Sequence, residues 1–230
     1  MSHTTSHLFL TESKQLTDIK PNMIKKLSIY GFDMRHVILK EFNEIEELVI
    51  NPAVLKDYSV IHKYAINYID HKLFSNFLSL RKLDIGNNLL TKIPDISILN
   101  NLEELDISCC LLTELNIEYI PVSINKIIGC NNLIELFPDL NEFKHLSHIS
   151  LSGNKISQIC AEHIPINIKV LNLYDNLISN TISFSNFMFL EKLTLFGNKV
   201  VQDASEFRYM ENMKVLILDD IDYSNSEDEN

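Results

Sequence analysis

Aliphatic residues recur along this chain with a fixed period. Leu80, Leu102, Ile124, Leu146, Ile168 and Leu190 open successive copies of one pattern, each 22 residues after the last. Leu80-Arg81-Lys82-Leu83-Asp84-Ile85-Gly86-Asn87-Asn88-Leu89-Leu90 is one copy and Leu146-Ser147-His148-Ile149-Ser150-Leu151-Ser152-Gly153-Asn154-Lys155-Ile156 is another. Apolar and polar residues alternate at Leu83-Asp84-Ile85 and at Leu193-Thr194-Leu195, which predicts a short strand with two side chains inward and one outward. A copy this small cannot bury its apolar side alone, so it must stack on its neighbours and grow in one direction. Each copy then closes one turn of a superhelix, and successive strands run parallel. An asparagine ends the pattern at Asn88, Asn132, Asn154, Asn176 and Asn198, with Cys110 in its place in one copy. At an inward position, its amide can bond the backbone of its own turn and the next, where no strand ladder reaches.

Looser copies flank the regular ones: Ile24-x-x-Leu27-x-Ile29, Ile45-x-x-Leu48-x-Ile50 and Met213-x-x-Leu216-x-Leu218. Nine strands follow. A second period of 44 lies over the first. Pro94-Asp95-Ile96 matches Pro138-Asp139-Leu140, and Glu118-Tyr119-Ile120-Pro121 matches Glu162-His163-Ile164-Pro165. Two designs for the far side of the turn therefore alternate. One carries Ile96/Leu99, Leu140/Phe143 and Phe184/Phe187; the other opens on Ile-Pro, where proline fixes φ. Three irregularities break the pattern. Between Ile45 and Leu80 lie 35 residues, and apolar spacing from Tyr58 to Leu78 predicts a helix in an insertion spanning 56–78. Gly129 stands at an inward strand position, which predicts a thin spot in the core or a bulge. The final copy stops soon after its strand, with no apolar capping helix behind it.

The motif, recurring over residues 24–223, resembles the leucine-rich repeat family, in its 22-residue intracellular form. The resemblance implies an α/β fold: a right-handed solenoid with a parallel β-sheet on its concave face and irregular or short helical segments on the convex face. Residues 1–23 become an N-terminal cap segment, 24–218 the solenoid of about nine repeats, and 219–230 an acidic, disordered tail.

Charge and composition narrow the function. The formal net charge is −11, which argues against nucleic acid as the partner, since phosphate binding needs clustered Lys and Arg. No stretch approaches the roughly 20 apolar residues of a membrane span. The only apolar run near the start, Leu8-Phe9-Leu10, is too short for a signal peptide. The four cysteines, at 109, 110, 130 and 160, lie mid-chain rather than in caps, so a reducing cytoplasmic or otherwise intracellular location is expected. No nucleophile elbow, phosphate-binding glycine loop, H-E-x-x-H or C-x-x-C is present, so neither catalysis, cofactor nor metal is expected. Cys109 and Cys130 look like neighbours on the rim, one repeat apart.

The concave face is where this architecture usually binds, and the strand register assigns its outward residues. Tyr174 and Phe196 occupy one outward slot in successive copies, with Val170 and Val215 beside them and polar Asn172, Thr194 and Lys192 around them. Exposed aromatics in a row are the usual anchors of an interface, though cross-strand packing alone also places them there. Asp84 and Asp106 form a second pair among Lys82, Glu104 and Lys126, for which a solvated face is expected. These features point to a monomeric, non-enzymatic module that binds a protein partner. Two alternatives come with the resemblance: the substrate-recognition arm of a ubiquitin ligase complex, and a structural repeat protein without a retained partner.

Overall fold

Ten short strands form one parallel sheet whose spatial order is their order in the chain, in a computed structural model that describes residues 7–10, 24–29, 44–52, 65–200 and 204–218. They are β1 (His7–Leu10), β2 (Lys26–Ile29), β3 (Glu47–Ile50), β4 (Lys82–Asp84), β5 (Glu104–Asp106), β6 (Lys126–Ile128), β7 (His148–Ser150), β8 (Val170–Asn172), β9 (Lys192–Thr194) and β10 (Val215–Ile217). The nine strands expected from the motif are all present. The tenth, β1, falls within 1–23 and pairs Leu8 with Leu27. Its copy lacks the opening aliphatic residue that marks the others, Thr5 standing in that place. Register steps are 22 residues from β4 through β9, for example Lys82↔Glu104 and Val170↔Lys192. The last step is 23, Val215↔Lys192. The protein is thus a repeat solenoid built on a parallel sheet.

The inward side chains make one continuous core. Leu83, Leu105, Ile127, Ile149, Leu171 and Leu193 stack strand upon strand, each at most 1% exposed. Burying one such side chain contributes roughly 1.5–3 kcal/mol. The asparagines follow the same spacing. Asn154 Nδ2 donates to the Gly129 and Leu151 carbonyls at 2.9 Å, and its Oδ1 accepts from Ile134 N–H at 3.0 Å. Asn132, Asn176 and Asn198 repeat this arrangement. Cys110 stands in with weaker bonds, among them Sγ to the Ile85 carbonyl at 3.7 Å. Burial pushes the Cys110 thiol up to about 11, which keeps it a neutral donor.

On the far side, the double period is written in hydrogen bonds. Every second turn contains a 3₁₀ segment: His71–Asn76, Ile117–Tyr119, Ala161–His163 and Ala204–Tyr209. The turns between them bury Ile96/Leu99, Leu140/Phe143 and Phe184/Phe187. Ile96 N–H donates to Tyr119 O and Leu140 N–H to His163 O, both at 2.9 Å, so each plain turn is tied to the 3₁₀ turn after it.

Two expectations need correction. Within the described part of 56–78, residues 65–78, the helical backbone is one 3₁₀ segment of six residues, capped by Asp70 Oδ1 accepting from Lys72 N–H at 3.0 Å. Phe74 and Phe77 there, and Leu80 after them, are fully buried and take the positions of Ile96, Leu99 and Leu102. Helical spacing was the wrong period because Ile66 and Ile69 already belong to the repeat: Ile66 N–H donates to Asn88 Oδ1. Residues 56–64 lie outside the described residues. Gly129, secondly, makes no bulge: β6 pairs in regular register with both β5 and β7. A Cβ placed on it would meet Leu151 Cδ2 at 3.0 Å and Ile107 Cγ1 at 3.5 Å, so its larger neighbours close over the missing side chain.

Candidate interaction surface

Outward side chains on the sheet form rows that run across the strands. At the strand starts of the N-terminal half, two adjacent rows alternate in sign from strand to strand: Lys25, Glu46, Arg81, Glu103 in one and Lys26, Glu47, Lys82, Glu104, Lys126 in the other. Neighbours pair, Lys26 with Glu47 at 2.9 Å, Lys25 with Glu46 at 3.1 Å, Lys82 with Glu104 at 3.3 Å, and Arg81 with Glu103. A depression of about 430 Å³ opens beside them, lined by Lys25, Glu44, Glu46, Ser79, Arg81, Asn101 and Glu103. Its two cations and three glutamates already pair with one another, which leaves a single net negative charge.

The next outward row is structural. Asp84, Asp106 and Asn172 share one slot, and each side-chain oxygen accepts a backbone N–H two residues on: from Gly86 at 3.0 Å, Ser108 at 2.9 Å and Tyr174 at 3.1 Å. Asn51 Nδ2 donates to both carboxylate oxygens of Asp84 at 3.1 Å. Burial pushes the Asp84 pKa up, against the lowering effect of those bonds. Asp84 and Asp106 are therefore strand-end caps rather than a simply solvated face.

Beyond that row stand Tyr174 and Phe196. Their rings stack in parallel, centroids 5.9 Å apart and planes 4° apart, and each residue is 44% exposed. β10 extends the apolar surface with Val215 and Ile217, 39% and 42% exposed. Val170 is half-buried and Lys192 exposed. Two other predicted residues serve differently. Thr194 is only 6% exposed, so it lies beneath the surface rather than on its rim. Asn172 spends its oxygen on Tyr174 N–H and its amide on Ser150 Oγ, at 3.0 Å, so it fixes the platform. The strand register also places Ile217 outward, though neither it nor Lys169 is among the predicted binding residues.

The placement of Cys109 and Cys130 differs from expectation. Cys109 does not face Cys130. A step of 22 from Cys109 reaches Asn131, whose Nδ2 lies 3.7 Å from Cys109 Sγ, while Cys130 Sγ sits 3.1 Å from Ser150 Oγ. All four cysteines are free. His148 Nδ1 is 2.8 Å from Ser147 Oγ, and burial, then Lys126 and Lys169, hold its pKa below the ordinary value. Among the described residues, no three His, Cys, Asp or Glu gather where a metal ion could sit, and no helix is long and apolar enough to cross a membrane.

Comparison with known proteins agrees with this geometry. A profile of the Leucine Rich Repeat family matches residues 101–123. No curated protein matches the chain. Among solved structures, it is similar to a leucine-rich-repeat protein of Leptospira interrogans, with a TM-score of 0.70 and 18% identity over 85% of this chain and 49% of that one. It is also similar to the functional domain of InlJ from Listeria monocytogenes, with a TM-score of 0.64 and 18% identity over 93% of this chain and 44% of that one. The Toll-like receptor in a TLR13–ssRNA13 complex gives 0.64 and 21% over 86% and 28%. The motif, the asparagine ladder and these neighbours together give the chain the leucine-rich-repeat fold. It spans about half or less of each of these three neighbours. The solenoid they share is a common scaffold for protein–protein interaction and typically non-enzymatic.

Proposed function

We propose that this protein is a non-enzymatic recognition module that binds a protein partner through the C-terminal half of its concave face. The observation that carries the reading is the stacked, half-exposed pair Tyr174 and Phe196, continued by Val215 and Ile217. Large apolar side chains cost free energy where water wets them, and rigid aromatics bury much area at little entropic cost when a partner covers them. Lys192 and Lys169 flank the patch, the apolar-centre and polar-rim layout of an interface.

The competing role for the pair is to steady the sheet, because stacking across adjacent strands contributes by itself roughly 0.2–1 kcal/mol. Changing Tyr174→Ala together with Phe196→Ala separates the two. As anchors, they cost at least about 2 kcal/mol of binding when truncated, with little change in thermal midpoint. The measurement is partner affinity by titration calorimetry beside a melting curve on the same protein. Retained affinity with a lowered midpoint would assign both residues to the sheet alone and withdraw the site.

A further inference from the structure

The two halves of the concave face differ in charge balance. At the two strand-start rows of β2 through β5, four cations (Lys25, Lys26, Arg81, Lys82) stand against four glutamates (Glu46, Glu47, Glu103, Glu104), most in direct pairs. The same rows of β6 through β10 hold Lys126, Lys169, Lys192 and Lys214 against Glu191 alone. Glu191 is taken by Lys214, whose hydrogen bond holds its carboxyl below the ordinary range. Lys169 and Lys192 form no ion pair with any described residue. In a chain of net charge −11, the stretch of described sheet with unpaired cations is thus the stretch beside the exposed aromatic patch. Its basic side and its apolar side lie at opposite ends of the same strands. Lys192 and Phe196 are four residues apart on extended chain, about 13 Å.

We propose that the partner presents an extended, acidic segment to this face, with Asp or Glu over Lys169 and Lys192 and an aromatic or aliphatic residue over Tyr174 and Phe196. The inference rests on the concave-face reading above and adds the chemistry of the occupant. Running along the strands, such a segment places its carboxylate and its apolar anchor about four residues apart, the spacing of Lys192 and Phe196. Unpaired lysines attract it and orient it, while the ring pair supplies the desolvated contact. A polyanion such as single-stranded RNA fits less well. Glu191 borders the lysines, Asp175 borders the aromatic pair, and the molecule's overall negative charge repels a long run of phosphates.

The test is selection of a random dodecapeptide library displayed on phage against the immobilised full chain, with enriched peptides resynthesised for fluorescence anisotropy. Enrichment of Asp or Glu three to five residues from Tyr, Phe, Leu or Ile is expected. Lys169→Glu with Lys192→Glu weakens these peptides about tenfold or more. Selection on that variant turns toward Lys- and Arg-bearing peptides with the same apolar residues. Since both lysines are exposed, the variant should keep the wild-type melting curve; Lys169→Gln with Lys192→Gln replaces it otherwise, with loss of acidic preference as the expected result. Enriched peptides without carboxylates that still need Tyr174 and Phe196 overturn this inference and leave the concave-face reading standing. Peptides indifferent to both pairs overturn both. No enrichment, or displacement of the peptides by a uridine dodecamer, overturns the inference. So does binding seen only after Asp219, Asp220 and Asp222 are changed to Asn, which would make the chain's own acidic segment the occupant.

Discussion

Asn176 satisfies two turns with one side chain. Its Nδ2 donates to the Leu151 carbonyl at 2.9 Å and the Leu173 carbonyl at 3.1 Å, and its Oδ1 accepts from Ile156 N–H at 3.1 Å. Asn176→Leu leaves these buried groups unpaired, at roughly 1–3 kcal/mol each, so a loss of at least about 3 kcal/mol is expected in urea denaturation. An unchanged midpoint would contradict the inward role of the whole ladder. This ladder was legible because asparagine is rarely buried and recurs on the period. A neighbouring one is carried by backbone angle rather than by a single residue type. Asn87, Cys109, Asn131, Gly153, Asp175 and Gly197 all adopt positive φ, one per repeat. Their types tolerate the left-handed region, apart from Cys109, and that signal would have aligned Cys109 with Asn131 instead of Cys130. His148 carries a pH dependence. Its folded pKa is depressed, so the unfolded chain binds the proton more readily. Its contribution to stability is full above the ordinary value of about 6.5 and is lost as pH falls below it. Thermal midpoints between pH 7.5 and 5 should therefore fall more steeply for the wild type than for His148→Gln. Parallel slopes would remove His148 from the balance.

Within the elements, the strands were the most legible part, because alternation and a fixed step both mark them. The far-side turns were half legible. Ile-Pro pairs and the 44-residue echo revealed two designs, but the 3₁₀ segments are too short to show a period of their own. Charge follows the same alternation. Strands reached through a 3₁₀ turn open on Arg81, Asn125, Lys169 and Lys214, and those reached through a plain turn open on Glu103, Ser147 and Glu191. Opposite charges thus meet across the N-terminal strands, and a strand slipped by one repeat would meet its own sign. Glu104 makes this testable, since it lies between Lys82 and Lys126 at 3.3 and 3.9 Å. Glu104→Lys should cost about 1 kcal/mol at low salt, because two attractions become repulsions on an exposed surface. Near 1 M salt the Debye length is about 3 Å and most of the loss should vanish. Adding Lys82→Glu should not restore stability, because the introduced glutamate would then face Glu47 and the introduced lysine would face Lys126. Full rescue by the double exchange would show isolated pairs rather than a continuous row.

Across the whole molecule, stability is the sum of each repeat and its contacts with two neighbours. The concave candidate surface lies toward the end where those contacts thin out. Leu193 in β9 is fully buried and Leu195 just after it is 2% exposed, but Met213, Leu216 and Leu218 around β10 are only half-buried. That gradient explains why the site was only partly legible: the motif shows which residues point outward, but not how completely the inward ones are covered. It also sets an expected order of opening. Backbone amides exchange through local unfolding, whose cost falls where buried apolar contact is sparse. Hydrogen exchange by mass spectrometry should find the slowest amides in β5 through β8, where Leu105, Ile127, Ile149 and Leu171 are sealed, and faster exchange in β10. Asn176→Leu, which weakens the joint between the repeats of β7 and β8, should speed exchange in β8 through β10 more than in β4 and β5. Equal acceleration along the chain would mean that the solenoid unfolds as one unit, and that the sheet carrying Tyr174 and Phe196 is as rigid as its centre.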